Sequence, residues 1–251
     1  MIGIAPIDNL DLEFDHGSFD AAAFTAQALS NWQSLAAIID HSLLNPAATR
    51  AQIETLCAEA IRYRFACVMV NPAWTSTAAA ALTGTGIPAG AVIGFPLGAS
   101  LVSTLRQEAS AVIRLGAREL GLVIPIGQLK SGNHQAVQHS IQAASGVAHE
   151  HGVLLKVILE AALLTMEEKL RAAEIAIQAG AGFIVTSTGF VSGGATPADV
   201  ALLRGVAGAR CGVLAAGGIG SHAEVRALLE AGANRISTSA SVPILRELGA
   251  A

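Results

Sequence analysis

The residue of this chain with the most chemical promise is Lys156, one of only three lysines, the others being Lys130 and Lys169. It sits in the apolar run Leu154-Leu155-Lys156-Val157-Ile158-Leu159-Glu160, which reads as a buried strand. Side chains alternate along a strand, so Lys156, Ile158 and Glu160 are expected on one face. An amine in that setting is either tied into a buried ion pair or used as a base or a carbonyl-attacking nucleophile. Glu160 can act there as a general acid or base, or can orient Lys156. Lys130 precedes a Ser-Gly turn and Lys169 lies on a polar helical run, so both are expected at the surface.

A second cluster is Asp40-His41-Ser42. Asp40 either bonds the hydroxyls of a ligand or caps its own loop through local backbone contacts. His41 beside it suggests an acid–base pair, but neighbouring strand residues point to opposite faces, so a supporting role fits His41 better. A third feature is the stretch from Gly182 to Phe190, where a short apolar segment runs into Thr186-Ser187-Thr188-Gly189, a turn of the kind that holds a phosphate. Gly217-Gly218 ahead of a helix is a similar, weaker sign, because glycine lets backbone amides approach an anion.

These groups need a scaffold, and the pattern along the chain supplies one. Short apolar segments at 36–40, 66–71, 90–94, 119–124, 154–160, 182–187, 212–216 and 235–238 read as strands. Amphipathic, alanine-rich segments at 50–64, 75–82, 101–115, 134–151, 165–178, 197–206 and 221–231 read as helices between them. Thr165 with Glu168, and Thr196 before Pro197, are expected N-terminal caps. Eight alternating units predict a parallel α/β sheet, closed as a TIM (β/α)8 barrel or open and doubly wound. In a barrel the strand C-termini gather the polar residues named above at one end. Residues 1–30 read as an N-terminal extension and 31–251 as the barrel domain. The extension is acidic up to about Asp20 and fits an arm, an added strand or a subunit contact.

Composition narrows the function classes. Hydrophobic residues make up 52% of the 251 residues and charged ones 14%, enough for a large core. No run of about 18 uncharged apolar residues predicts a membrane span. The net charge of −4 gives no basic footprint for nucleic acid. Cys57, Cys67 and Cys211 lack CxxC spacing and are expected in the core; a reduced, cytoplasmic setting fits them. No histidine spacing suits a metal, and no metal or other cofactor is expected.

With these motifs placed, the chain resembles the deoxyribose-phosphate aldolase family over roughly residues 38–245. Ile39-Asp40-His41-Ser42-Leu43-Leu44, Ile93-Gly94-Phe95-Pro96-Leu97-Gly98, Lys156-Val157-Ile158-Leu159-Glu160, Thr186-Ser187-Thr188-Gly189-Phe190, Gly217-Gly218-Ile219 and Asn234-Arg235-Ile236 carry the likeness in order. The resemblance implies a TIM barrel and a small phosphorylated substrate. It also implies a phosphate cradle of Gly189, Gly217, Gly218 and Ser239, and suggests a homodimer or larger assembly.

The same resemblance shows where the chain departs. The family's Schiff-base lysine falls at Val185, its second lysine at Leu214, its relay aspartate at Gly121, and a cysteine common on the second strand at Met69. Class I aldol chemistry needs a neutral amine, commonly made so by a neighbouring ammonium. The expectation is therefore a protein that binds a small phosphorylated sugar or related carbonyl compound, with Lys156, Glu160 and Asp40 serving repurposed lyase or isomerase chemistry. A non-catalytic sensor or partner subunit, and a weak deoxyribose-phosphate aldolase, are the alternatives.

Overall fold

A computed structural model of the protein describes residues 19–250. Eight parallel strands, β1 (Ile39–Leu43), β2 (Cys67–Val70), β3 (Ala89–Ile93), β4 (Glu119–Val123), β5 (Leu154–Ile158), β6 (Phe183–Val185), β7 (Gly212–Ala216) and β8 (Arg235–Thr238), pair in sequence order, and β8 pairs with β1 to close the barrel. Eleven α-helices accompany them among the described residues: α1 (Ala21–Ala28), α2 (Trp32–Ala36), α3 (Arg50–Tyr63), α4 (Thr75–Ala81), α5 (Val102–Arg114), α6 (Ile126–Lys130), α7 (His134–Glu150), α8 (Met166–Gln178), α9 (Pro197–Ala207), α10 (His222–Glu230) and α11 (Ser241–Glu247). The closed sheet decides between the two α/β arrangements that the spacing left open. Among the described residues, no helix is long and apolar enough to cross a membrane.

Strand alternation sorts the core into two layers. Outward residues such as Ile39, Leu120, Val157, Ile184 and Val213 are fully buried against the helices. Each contributes roughly 1.5–3 kcal/mol by leaving water. Inward residues form smaller clusters inside the barrel, one of Val123, Ile158, Val185, Leu214 and Ala216, the other of Cys67, Met69 and Val92. The caps form as expected. Thr165 accepts from the Glu168 amide at 3.2 Å while the Glu168 carboxylate accepts from the Thr165 amide at 2.8 Å, and Thr196 caps α9 with Pro197 in its first turn.

The first strand departs from expectation. The segment expected as a strand at 36–40 begins instead as the end of α2, started by the Asn31 side chain accepting from the Ser34 amide at 2.8 Å. β1 is displaced to Ile39–Leu43, so Asp40 lies near its beginning, deep in the barrel, rather than at its end. β5 is shorter than expected and stops at Ile158. Of the acidic segment up to about Asp20, only Phe19 and Asp20 lie within the described residues. The rest of the 1–30 extension forms α1 and the cap of α2.

Candidate active site

Four charged side chains meet inside the barrel. The Lys156 ammonium on β5 donates to Asp40 on β1 and to Glu119 on β4. Arg235 at the start of β8 donates through Nε to Asp40 Oδ1 at 2.7 Å and through Nη2 to Glu119 at 3.1 and 3.2 Å. Two cations thus alternate with two carboxylates, and the cluster is electrically neutral. Lys156 is 2% exposed and Asp40 1%. Burial by itself would strip the proton from Lys156, but the Asp40 and Glu119 carboxylates outweigh it and hold the amine's pKa above its ordinary value. Arg235 is held up in the same way. The buried ion pair, one of the two readings of Lys156 from sequence, describes the resting state.

Lys156 and Asp40 also face a cavity of about 700 Å³ at the C-terminal mouth of the barrel. Gly189, Gly217, Gly218 and Ser239 line the same cavity. The three glycines have φ of 83°, 94° and 74°, in the left-handed region where a side chain is strained. At Gly217 a Cβ would also lie 3.2 Å from Ser187 and 3.3 Å from Gly194, so the loops after β6 and β7 pack backbone to backbone. The Ala195 amide seals that packing by donating to the Gly217 carbonyl at 3.0 Å.

Glu160 sits elsewhere than the alternation predicted. Its backbone turns into the left-handed region at φ 56°, ending the strand pattern, and its carboxylate accepts from the Thr188 hydroxyl and from the Thr188 amide at 3.3 and 3.4 Å. It braces the turn that carries Gly189, is not among the cavity-lining residues, and makes no bond to Lys156. His41 points outward, as alternation requires. Its Nε2 pairs with Glu59 on α3 and its Nδ1 with Ser241 on α11, each at 2.9 Å. Burial lowers its pKa below 6.5 against the pull of Glu59.

Gly121, Val185 and Leu214, the positions where the resemblance places the family's polar groups, line the cavity beside Lys156. Val185 pairs with Leu214 across β6 and β7, Ile158 pairs with Val185 across β5 and β6, and Gly121 pairs with Lys156 across β4 and β5. Sequence reading missed Glu119 and Arg235. A signal for both was present, since each lies two residues from an inward position, Gly121 or Ser237. Lys169 is not solvated as expected: it pairs with Asp199 of α9 at 2.5 Å, because α8 and α9 pack side by side. Lys130 is at the surface, bonded to Glu168. Cys57, Cys67 and Cys211 are buried free thiols, Cys57 and Cys211 pushed up by burial to about 11. Asp40, Cys67 and Glu119 bring possible metal-ligand atoms within 4.8 Å, but both carboxylates are already taken by Lys156 and Arg235.

The family model for DeoC/LacD family aldolases matches residues 34–243. The chain belongs to that family. It is 49% identical over 212 residues to the deoxyribose-phosphate aldolase of Geobacillus sp. (strain WCH70), covering 84% of this chain and 95% of that one. It is 46% identical over 220 residues to the deoxyribose-phosphate aldolase of Lysinibacillus sphaericus (strain C3-41), covering 86% and 96%. Among solved structures, the tetrameric deoxyribose phosphate aldolase of Aeropyrum pernix superposes with a TM-score of 0.84 at 32% identity, covering 91% of this chain and 96% of that one.

Proposed function

We propose that this DeoC/LacD family member binds a small phosphorylated sugar or related carbonyl compound and acts on it as a lyase or isomerase without the covalent lysine step. The observation that carries this reading is the single cavity joining the Gly189, Gly217, Gly218 and Ser239 cradle to the Lys156–Asp40 pair. The cradle takes the phosphate through backbone amides and the Ser239 hydroxyl. The ligand's carbonyl lies toward Lys156. As a C–H or O–H proton passes to Asp40, the only carboxylate among the cavity-lining residues, charge grows on the carbonyl oxygen and the ammonium stabilises it. In a cleavage the carbon–carbon bond breaks into that enolate; in an isomerisation the enolate is reprotonated at carbon. Glu160 serves this site by holding the Thr188–Gly189 turn.

One observation favours a non-catalytic sensor instead: every charge of the cluster is already paired. Family membership favours a third reading, weak deoxyribose-phosphate aldolase activity through Lys156 itself. Incubation with deoxyribose 5-phosphate and borohydride separates all three. Turnover without a trapped adduct supports the proposal. A thermal shift with neither turnover nor adduct supports the sensor, and an adduct mapped to Lys156 supports the covalent aldolase. No shift with any sugar phosphate would sink the phosphosugar reading altogether. Assembly as a homodimer or larger belongs to the same proposal, and sedimentation of the purified protein tests it.

A further inference from the structure

The hydroxyls around the cavity are distributed unevenly. Ser42, Ser237 and Ser239 line it with hydroxyls that take no partner within the described residues, and all three come from β1, β8 or the turn after β8. Other hydroxyls nearby are spent internally. Ser187 donates to the Gly194 carbonyl at 3.1 Å, Thr188 to Glu160, and Thr238 to the Ile219 carbonyl at 2.6 Å.

The side chains that strands β2 to β7 themselves turn into the cavity, below the loops of the phosphate cradle, form an arc that is apolar apart from Lys156. Met69, Val92, Ile158, Val185 and Leu214 face the cavity in succession, with the Phe95 ring beside them. Even the bare backbone at Gly121 is hemmed by carbon: a Cβ there would meet Met69 Cε and Val92 Cγ1 at 3.4 Å and Ile158 Cδ1 at 3.6 Å. A ligand hydroxyl turned toward this arc would lose its water and gain no hydrogen bond.

We infer that the ligand is a phosphate monoester with a largely deoxygenated carbon body, its one or two polar functions turned toward β1, β8 and Lys156 and its bare carbon face laid on Val185 and Leu214. This inference rests on the phosphate-binding reading above and narrows it to one substrate class. Polyhydroxylated sugar phosphates are excluded by the apolar arc, since each hydroxyl stranded there weakens binding by about tenfold.

Pentyl phosphate and ribitol 5-phosphate test this, because both are open five-carbon phosphate esters and they differ in their hydroxyls. Calorimetric titration of the full chain should show pentyl phosphate binding at least about tenfold more tightly. The Val185→Thr substitution keeps the side-chain shape while replacing a methyl by a hydroxyl; it should narrow that ratio, with a cooperative melting transition confirming the fold even though the buried hydroxyl lowers the melting temperature. Equal affinities, or tighter binding of ribitol 5-phosphate, would overturn the inference and leave the phosphate-ester reading standing. If inorganic phosphate and both esters all fail to bind, the two fall together.

Discussion

Val185 and Leu214 stand directly across from one another on β6 and β7, both buried, at the two positions where the family resemblance places lysines. Their pairing explains why the two departures belong together. A lone lysine at 185 would bury an uncompensated ammonium in an apolar wall, whereas two adjacent amines depress each other's proton affinity and make one of them neutral. The combined Val185→Lys, Leu214→Lys, Gly121→Asp protein should therefore give a borohydride-trapped adduct with deoxyribose 5-phosphate at position 185, read by peptide mass mapping. The space at Gly121 accommodates a Cβ at ordinary contact distances. An intact fold with no adduct would show that the rest of the pocket has diverged as well.

Lys156 is held by two carboxylates, so removing it leaves both facing Arg235 alone. Lys156→Met should cost about 3–5 kcal/mol in urea unfolding. Adding Glu119→Gln restores charge balance and should recover at least about 1 kcal/mol of that loss. Because the folded-state pKa of Lys156 is raised, its contribution is complete through neutral pH and fades only as pH climbs beyond the ordinary 10.5. Alkaline melting curves of the parent and of Lys156→Met should converge in that range.

Glu160 braces Thr188 through the hydroxyl and the amide. Glu160→Ala frees the turn that carries Gly189, and should weaken phosphate-ester binding by about tenfold while costing about 1–3 kcal/mol of stability. Glu160→Gln keeps one acceptor and should fall between the two proteins. If instead Glu160→Ala abolishes turnover and leaves ligand affinity untouched, Glu160 takes part in the chemistry rather than in holding the loop.

His41 is buried between Glu59 and Ser241 with its pKa lowered. Below pH 6.5 the unfolded chain takes up a proton more readily than the folded one, so stability falls as pH drops from that point toward the folded-state pKa. The melting temperature should decline across this window, and His41→Gln should flatten the decline. An unchanged slope in the variant would assign the acid sensitivity to other groups.

Much of the scaffold is legible in the chain because strand and helix periods are local properties. Seven of the eight strands begin within a residue of where the apolar runs predict, and the alternation that turns His41 outward holds. The first strand is misplaced because Asn31 starts a helix that the alanine-rich segment accepts as readily as a strand. Glu160 is misassigned because a single left-handed residue breaks the two-residue period, and no neighbouring residue type announces it. Lys169 looks solvated on its own helix until α9 brings Asp199 against it.

The sequence by itself determined the eight βα units, the likeness to an aldolase family, the glycine-rich loops and the apolar residues at 185 and 214, since residue identity and order carry all of these. Only the tertiary structure decided that Lys156 rests as a paired ammonium, because its partners Asp40 and Glu119, and the Arg235 that shares them, lie 116, 37 and 79 positions away along the chain. Charges that distant in sequence become neighbours only when β1, β4, β5 and β8 close around one axis, and their desolvation and mutual attraction exist only once that closure has excluded water.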